Sequence, residues 1–210
     1  PGSSFNSGTP ALSVAGVAVR LLVVGDSGLG GVWRGPGDGT GDVVAELGPD
    51  LLPSDVAFDE AGALVYEVFD FFSEGLFRLP AGGSPALIVP PGGPFGVDFF
   101  SDPRPAGPGT LIFRGGNFGG DRWIRWTEAT GEQVSLVAEN DPGIGFVFVP
   151  DADATGRAIG KVRLGSTSDD SPDEIRRYDG PGSFTVLAVD DDGDPASPFT
   201  GFDNSVGATP

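Results

Sequence analysis

Short apolar runs recur along the chain, separated by polar and glycine-rich spacers. No segment sustains the i, i+3, i+4, i+7 apolar spacing of an amphipathic helix over about 11 residues, so the pattern predicts strands joined by turns. The stretch 64–83 shows the grammar most plainly. Leu64-Val65-Tyr66-Glu67-Val68 reads as a strand, a polar loop follows, Leu76-Phe77-Arg78 reads as a second strand, and Gly82-Gly83 close a turn.

The same order returns along the chain. Pro10, Pro53, Pro94, Pro142 and Pro198 each precede a short apolar segment, at intervals of 43, 41, 48 and 56 residues. A turn comes next, then a second strand: Leu21-Leu22-Val23-Val24, Leu64 to Val68 as above, Leu111-Ile112-Phe113-Arg114, and Lys161-Val162-Arg163-Leu164. A third strand carries an apolar residue before an arginine, at Arg34, Arg78, Arg125 and Arg176. A fourth closes each unit, as in Val134-Ser135-Leu136-Val137 and Phe184-Thr185-Val186-Leu187-Ala188. A four-stranded unit buries one face on its neighbour and cannot stand alone. The expected fold class is therefore all-β: a β-propeller built of four-stranded antiparallel blades.

These units resemble the blades of NHL and SMP-30/gluconolactonase-like propellers. The best match is 53–82, with Phe58-Asp59, Gly62, Leu64-Val65-Tyr66 and Phe77-Arg78 at the blade's marked positions. The expected organisation is an N-terminal arm over 1–9 and a propeller over 10–210. Its blades fall near 10–50, 51–91, 92–140 and 141–194, with a closing strand or partial blade over 195–210. Four units are fewer than those families use. A four-bladed ring, a piece of a larger propeller and a ring completed by partner chains are the alternatives, and a closed or nearly closed ring is the expectation. In the gluconolactonase-like families one divalent cation sits in the central channel. The resemblance implies Glu67, Asn117, Asp203 and Asn204 as similarly placed residues, with Asp26 and Asp70 in equivalent loops.

Composition sharpens this picture. The 36 glycines and 20 prolines suit turns and oppose helix interiors. A net charge of −18 disfavours nucleic acid and anionic membranes as partners. No apolar run approaches the ~20 residues of a membrane-spanning helix. The chain has no Cys, His or Met. Disulfides, thiolate chemistry and imidazole catalysis are excluded. For the absent start residue a removed signal peptide is the expected explanation and an excised domain the alternative, and the expected location is secreted, periplasmic or cell-surface.

Two acidic turns are the candidate metal sites, with Ca2+ the expected ion. One offers Asp151 and Asp153, the other Asp190, Asp192 and Asp194. Alternating oxygens before a glycine suit a cation that takes 6–8 oxygen ligands. The first turn has no acidic residue over 157–161 to complete the set. The repeated arginines are expected to serve the repeat by pairing within or between blades. Phe69, Phe71 and Phe72 read as an apolar loop insertion peculiar to the second unit, and mark a candidate partner-binding surface. No catalytic set stands out. The expectation is a non-catalytic binding or assembly module whose partners are other protein chains or a carbohydrate. The alternative is a divalent-metal-dependent lactonase or esterase of the SMP-30-like propeller type.

Overall fold

The computed structural model describes residues 4–5, 11–12, 17–24, 29–36, 40–49, 52–70, 72–167, 171–190 and 202. The first strands are β1 (Ser4–Phe5), β2 (Ala11–Leu12), β3 (Val17–Val24), β4 (Leu29–Pro36) and β5 (Asp42–Pro49). Next come β6 (Leu52–Phe58), β7 (Leu64–Asp70), β8 (Phe72–Leu79) and β9 (Ala86–Val89). After a 3-10 turn at Gly93–Phe95 follow β10 (Phe99–Pro105), β11 (Thr110–Asn117), β12 (Gly120–Thr127) and β13 (Glu132–Ala138). The last set is β14 (Ile144–Ala152), β15 (Ala158–Leu164), β16 (Asp173–Gly180) and β17 (Ser183–Asp190).

These strands form sheets in chain order: β6-β7-β8-β9, β10-β11-β12-β13 and β14-β15-β16-β17, each four-stranded. The first sheet has five, because β1 and β2 both pair with β3. Ser4–Phe5, in the segment expected as an arm, thus joins a sheet. Such antiparallel sheets, made of consecutive hairpins, are β-propeller blades. The chain divides into two compact units, 1–103 and 104–210.

In the first unit, positions 63–68 are buried without a break. A strand covered on both faces loses the polar-apolar alternation of a half-exposed one. Leu64, Tyr66 and Val68 share one face and pack with Val32, Val56 and Leu79. On the opposite face Glu67 is buried and accepts the backbone N–H of Phe100 at 3.3 Å.

The second unit is organised around Trp123. Its indole is fully buried and donates to the carbonyl of Phe148 at 2.7 Å. It meets Tyr178 edge-on, with centroids 5.6 Å apart. Gly160 on β15 makes the room: a Cβ there would stand 2.7 Å from the ring's Cζ2 and Cη2. Around this contact Ile112, Leu136, Val137, Ile144, Val147, Ala158 and Val162 complete the core.

One expected alignment shifts by a residue. Arg78 lies opposite Val65, and Arg125 opposite Ile112. Counted from the preceding turn, the matching residue in the last sheet is Arg177, opposite Ile159, and not Arg176, opposite Gly160. A one-residue slip moves a side chain to the other face. Arg176 is therefore buried beside Tyr178, while Arg177 is half-buried like Arg78 and Arg125.

Candidate functional site

The turn between β14 and β15 is built around Asp153. The backbone closes a loop through Asp153 N–H to Arg157 O at 3.0 Å and Gly156 N–H to Asp153 O at 3.1 Å. Oδ1 accepts the N–H of Thr155 (2.9 Å), its hydroxyl (2.6 Å) and the N–H of Arg157 (3.2 Å). Oδ2 takes the Arg157 guanidinium, with Nε at 2.6 Å and Nη2 at 2.5 Å. Partial burial alone would raise the carboxyl's pKa. The hydrogen bonds from Thr155 and Arg157 outweigh that and hold it well below the usual carboxylate range. Asp59 makes the same turn in the second sheet. Its Oδ1 accepts the N–H of Ala63 at 2.8 Å, and its Oδ2 accepts Arg78 Nε at 2.8 Å.

This arrangement does not fit a calcium ion between Asp151 and Asp153. Five donors surround the Asp153 carboxylate, two of them from a guanidinium, and a cation would have to displace Arg157. Asp151, at the end of β14, turns Oδ1 to the N–H of Ala152 at 2.8 Å and lies 3.9 Å from Arg104 Nε. Of the second acidic turn, Asp190 ends β17, is buried, and stands opposite Asp173. Asp192 and Asp194 lie outside the described residues. Among the described residues, no three His, Cys, Asp or Glu side chains gather to hold a metal.

Asp173 belongs to a buried charge cluster. Its carboxylate receives Lys161 Nζ at 3.1 Å and Arg163 Nε at 2.9 Å. Lys161, the chain's single lysine, also donates to the carbonyl of Phe202 at 3.1 Å and lies 3.8 Å from the centre of the Phe148 ring. Lys161 holds the same place in β15 that Glu67 holds in β7 and Arg114 holds in β11, four residues after the strand's leading turn. Arg114 pairs with Asp121 and lies over the Phe146 ring at 5.4 Å. In the second and last sheets this position reaches the backbone of a later segment, Phe100 from Glu67 and Phe202 from Lys161. It is used for internal bracing.

The other residues named by the lactonase comparison are scattered. Asn117 ends β11, and its Oδ1 accepts the N–H of Gly119 at 2.7 Å within the hairpin turn. Asp70 ends β7 opposite Phe72. Asp26, Asp203 and Asn204 lie outside the described residues. The side chain of Arg34 lies outside those described; the other third-strand arginines named are engaged. Besides Arg78 on Asp59, Arg125 donates to the carbonyl of Asp179 at 3.3 Å. Arg176 bonds Glu174 at 2.6 Å and the Tyr178 hydroxyl at 3.2 Å, and lies over the Phe184 ring at 4.1 Å.

Two members of the phenylalanine cluster lie in the paired strands β7 and β8. Phe69 is half-buried in β7 opposite Ser73, and Phe72 opens β8, so these two are strand residues. Phe71 lies outside the described residues. The corresponding hairpin of the next sheet carries Phe118 at its tip, 93% exposed. A lone phenylalanine between Asn117 and two glycines, with no alternation to place it in a core, was its signal in the sequence. A second apolar surface lies on β17, where Phe184 is 43%, Val186 41% and Leu187 51% exposed. The sequence read these as ordinary fourth-strand residues, because an apolar strand looks alike in a core and on an edge.

No family model matches the sequence, and no curated protein matches it. Solved structures do. Puromycin hydrolase superposes with a TM-score of 0.63 at 18% identity, covering 90% of this chain and 30% of the hydrolase. A nidogen/laminin complex gives 0.59 at 14% identity, covering 85% of this chain and 63% of the matched one. A putative gluconolactonase gives 0.50 at 16% identity, covering 87% and 62%. This chain thus spans less than two thirds of each. What it shares with them at these identities is the fold, the β-propeller.

Proposed function

We propose that the chain is a non-catalytic binding or assembly module that works outside the cytoplasm and docks other protein chains. The observation that carries this reading is exposed apolar surface: Phe184, Val186 and Leu187 together on β17, and Phe118 at a hairpin tip. Monomeric proteins scatter single apolar residues over their surfaces, but contiguous groups mark contact sites. A propeller-containing neighbour solved as a complex of nidogen with laminin supports the same use of the fold.

The chemistry of the polar residues points the same way. Glu67, the carboxylate best placed for a lactonase-like ligand, is buried on the N–H of Phe100, and its counterparts are the cations Arg114 and Lys161. A metal-activated water needs several oxygen donors converging on one open position. The test is hydrolysis of a panel of lactones and aryl esters with Ca2+, Mg2+, Mn2+ or Zn2+. No turnover above the metal blanks is expected. Metal-dependent turnover lost in Glu67→Gln would overturn the binding reading in favour of the lactonase.

A further inference from the structure

We infer that Phe202 stands in the first strand of a fifth blade, stacked on the fourth sheet and held there by Lys161. The face of β15 and β16 around Lys161 is then a blade-to-blade interface. This inference does not depend on the binding reading.

One position of the second strand reaches forward in three sheets. It lies five residues after the turn glycine: Glu67 after Gly62, Arg114 after Gly109 and Lys161 after Gly156. Glu67 accepts the N–H of Phe100 in β10, the first strand of the following sheet. Arg114 lies over the ring of Phe146 in β14, again the first strand of the following sheet. Lys161 donates to the carbonyl of Phe202 at 3.1 Å. Phe202 is therefore where the next first strand would be. Its sequence frame agrees. Pro142-Gly143-Ile144-Gly145-Phe146 recurs as Pro198-Phe199-Thr200-Gly201-Phe202, with proline, glycine and phenylalanine at the same spacing.

The hold on Phe202 is a built one. The Lys161 side chain is 2% exposed, and its Nζ lies 3.1 Å from Asp173 and 3.8 Å from the centre of the Phe148 ring. Asp173 also takes Arg163 Nε at 2.9 Å, so one carboxylate serves two cations. A buried ammonium has three donors to satisfy, and leaving one unmet is costly. The Phe202 carbonyl accepts one of them.

The same face carries a second forward-reaching residue. On the third sheet Ile112 stands opposite Arg125, which donates to the carbonyl of Asp179 in the fourth. Ile159 opposite Arg177 is the counterpart pair, and two residues along β15, Lys161 stands opposite Ile175. Alternate residues of a strand share a face, so these four lie together. Arg177 Nε is buried with no hydrogen-bond partner among the described residues, and Asp179 Oδ1 is 3.6 Å from it. A fifth blade would bring backbone carbonyls over Arg177, as the fourth brings Asp179 over Arg125. The first-strand place of the first sheet is already taken: β1 pairs with β3 at Val23 and Leu22, and β2 at Val19 and Ala18. A closing strand would need that place.

The chain has no cysteine, so introduced pairs report without background. Phe202→Cys with Ile175→Cys, treated with a short bis-maleimide, should give an intramolecular cross-link found by mass spectrometry. Phe202→Cys with Leu12→Cys, on β2, should give none. Lys161→Met removes the donor and keeps the bulk. In the folded variant, amide exchange in the peptide carrying Phe202 should speed up roughly tenfold, while exchange over 111–113 stays unchanged. Lys161→Arg, which keeps a donor, should restore much of the protection. If Lys161→Met does not fold, the two cysteine pairs, which retain Lys161, decide alone. A cross-link to position 12, with or without one to 175, would make Phe202 part of a closing strand and overturn the inference. So would no cross-link to 175, or unchanged exchange around Phe202 in folded Lys161→Met.

Discussion

Gly160→Ala tests the packing on which the second unit depends. The new Cβ would stand 2.7 Å from two carbons of the Trp123 ring, and 3.1 Å from the carbonyl of Val149. Ordinary carbon contacts are about 3.5–4.0 Å, so the indole must retreat by about 1 Å. It has nowhere to go, being fully buried against Tyr178 and tied to the Phe148 carbonyl at 2.7 Å. Overpacking of this kind costs about 1–3 kcal/mol. Weakening the indole hydrogen bond adds about 1 kcal/mol. The better strand preference of alanine returns about 0.5–1 kcal/mol. The net expectation is a loss of about 1–3.5 kcal/mol. At about 2–4 °C per kcal/mol for a chain of this size, Tm should fall by roughly 2–14 °C. Calorimetry on the single variants and on Gly160→Ala with Trp123→Phe separates strain from a general strand effect. The smaller ring should recover part of the alanine penalty, so the two changes should couple by about 1 kcal/mol or more. An unchanged or raised Tm in Gly160→Ala, or strict additivity in the double variant, would refute this packing.

Other consequences follow from single side chains. The Tyr66 hydroxyl is buried with no hydrogen-bond partner among the described residues, and burial pushes its pKa up to about 12. Tyr66→Phe should therefore leave denaturant stability unchanged or raise it by up to about 1 kcal/mol; a loss above that would reveal a partner for the hydroxyl. Asp153 has its folded pKa depressed by Thr155 and Arg157, so its stabilisation is complete above the ordinary aspartate range near about 4 and is lost as pH falls below it. The midpoint difference between the native chain and Asp153→Asn should be largest near neutrality and shrink below about pH 4. A pH-independent difference would show that the ion pair contributes nothing. Arg176→Ala should destabilise more than Arg177→Ala, because the first leaves Glu174 and Tyr178 without a buried guanidinium while the second sits at 32% exposure beside Asp179. Equal losses would contradict the one-residue shift. Ca2+ and EDTA should leave the Tm of the Asp153→Asn variant and of the native chain equally unaffected at the β14–β15 turn, since Arg157 already fills it. A calcium-dependent rise abolished by Asp153→Asn would restore that turn as a metal site.

The blade was legible because its second strands are rich in residues that fit a pleated layer buried on both faces. Leu64-Val65-Tyr66 and Leu111-Ile112-Phe113 announce strands without help from their surroundings. Register was harder. The sequence Glu174-Ile175-Arg176-Arg177 offers two arginines to an apolar-arginine match, and only the pairing with β15 shows which one faces which way. Of the loop expected over 69–72, Phe69 and Phe72 lie in paired strands, since a run of phenylalanines reads the same in a loop as at two strand ends. The acidic turn at Asp153 looked like a ligand loop because sequence spacing displays carboxylates but not their partners. Arg157 sits four positions on, and its guanidinium folds back onto the carboxylate. The exposure of β17 depended on strand order, which places Phe184 to Leu187 at a sheet's edge. No local pattern records that.

The central claim is that exposed apolar residues on this propeller hold another protein. The most direct measurement places a photo-cross-linking phenylalanine analogue at position 118, whose side chain is 93% exposed, in cells that make the protein. The same analogue at Phe113, fully buried on the preceding strand, is the control. The account predicts one dominant protein adduct of fixed mass from position 118, identifiable by mass spectrometry and absent from the control. A smear of unrelated adducts, or none, alongside metal-dependent hydrolysis by the purified chain, would contradict it.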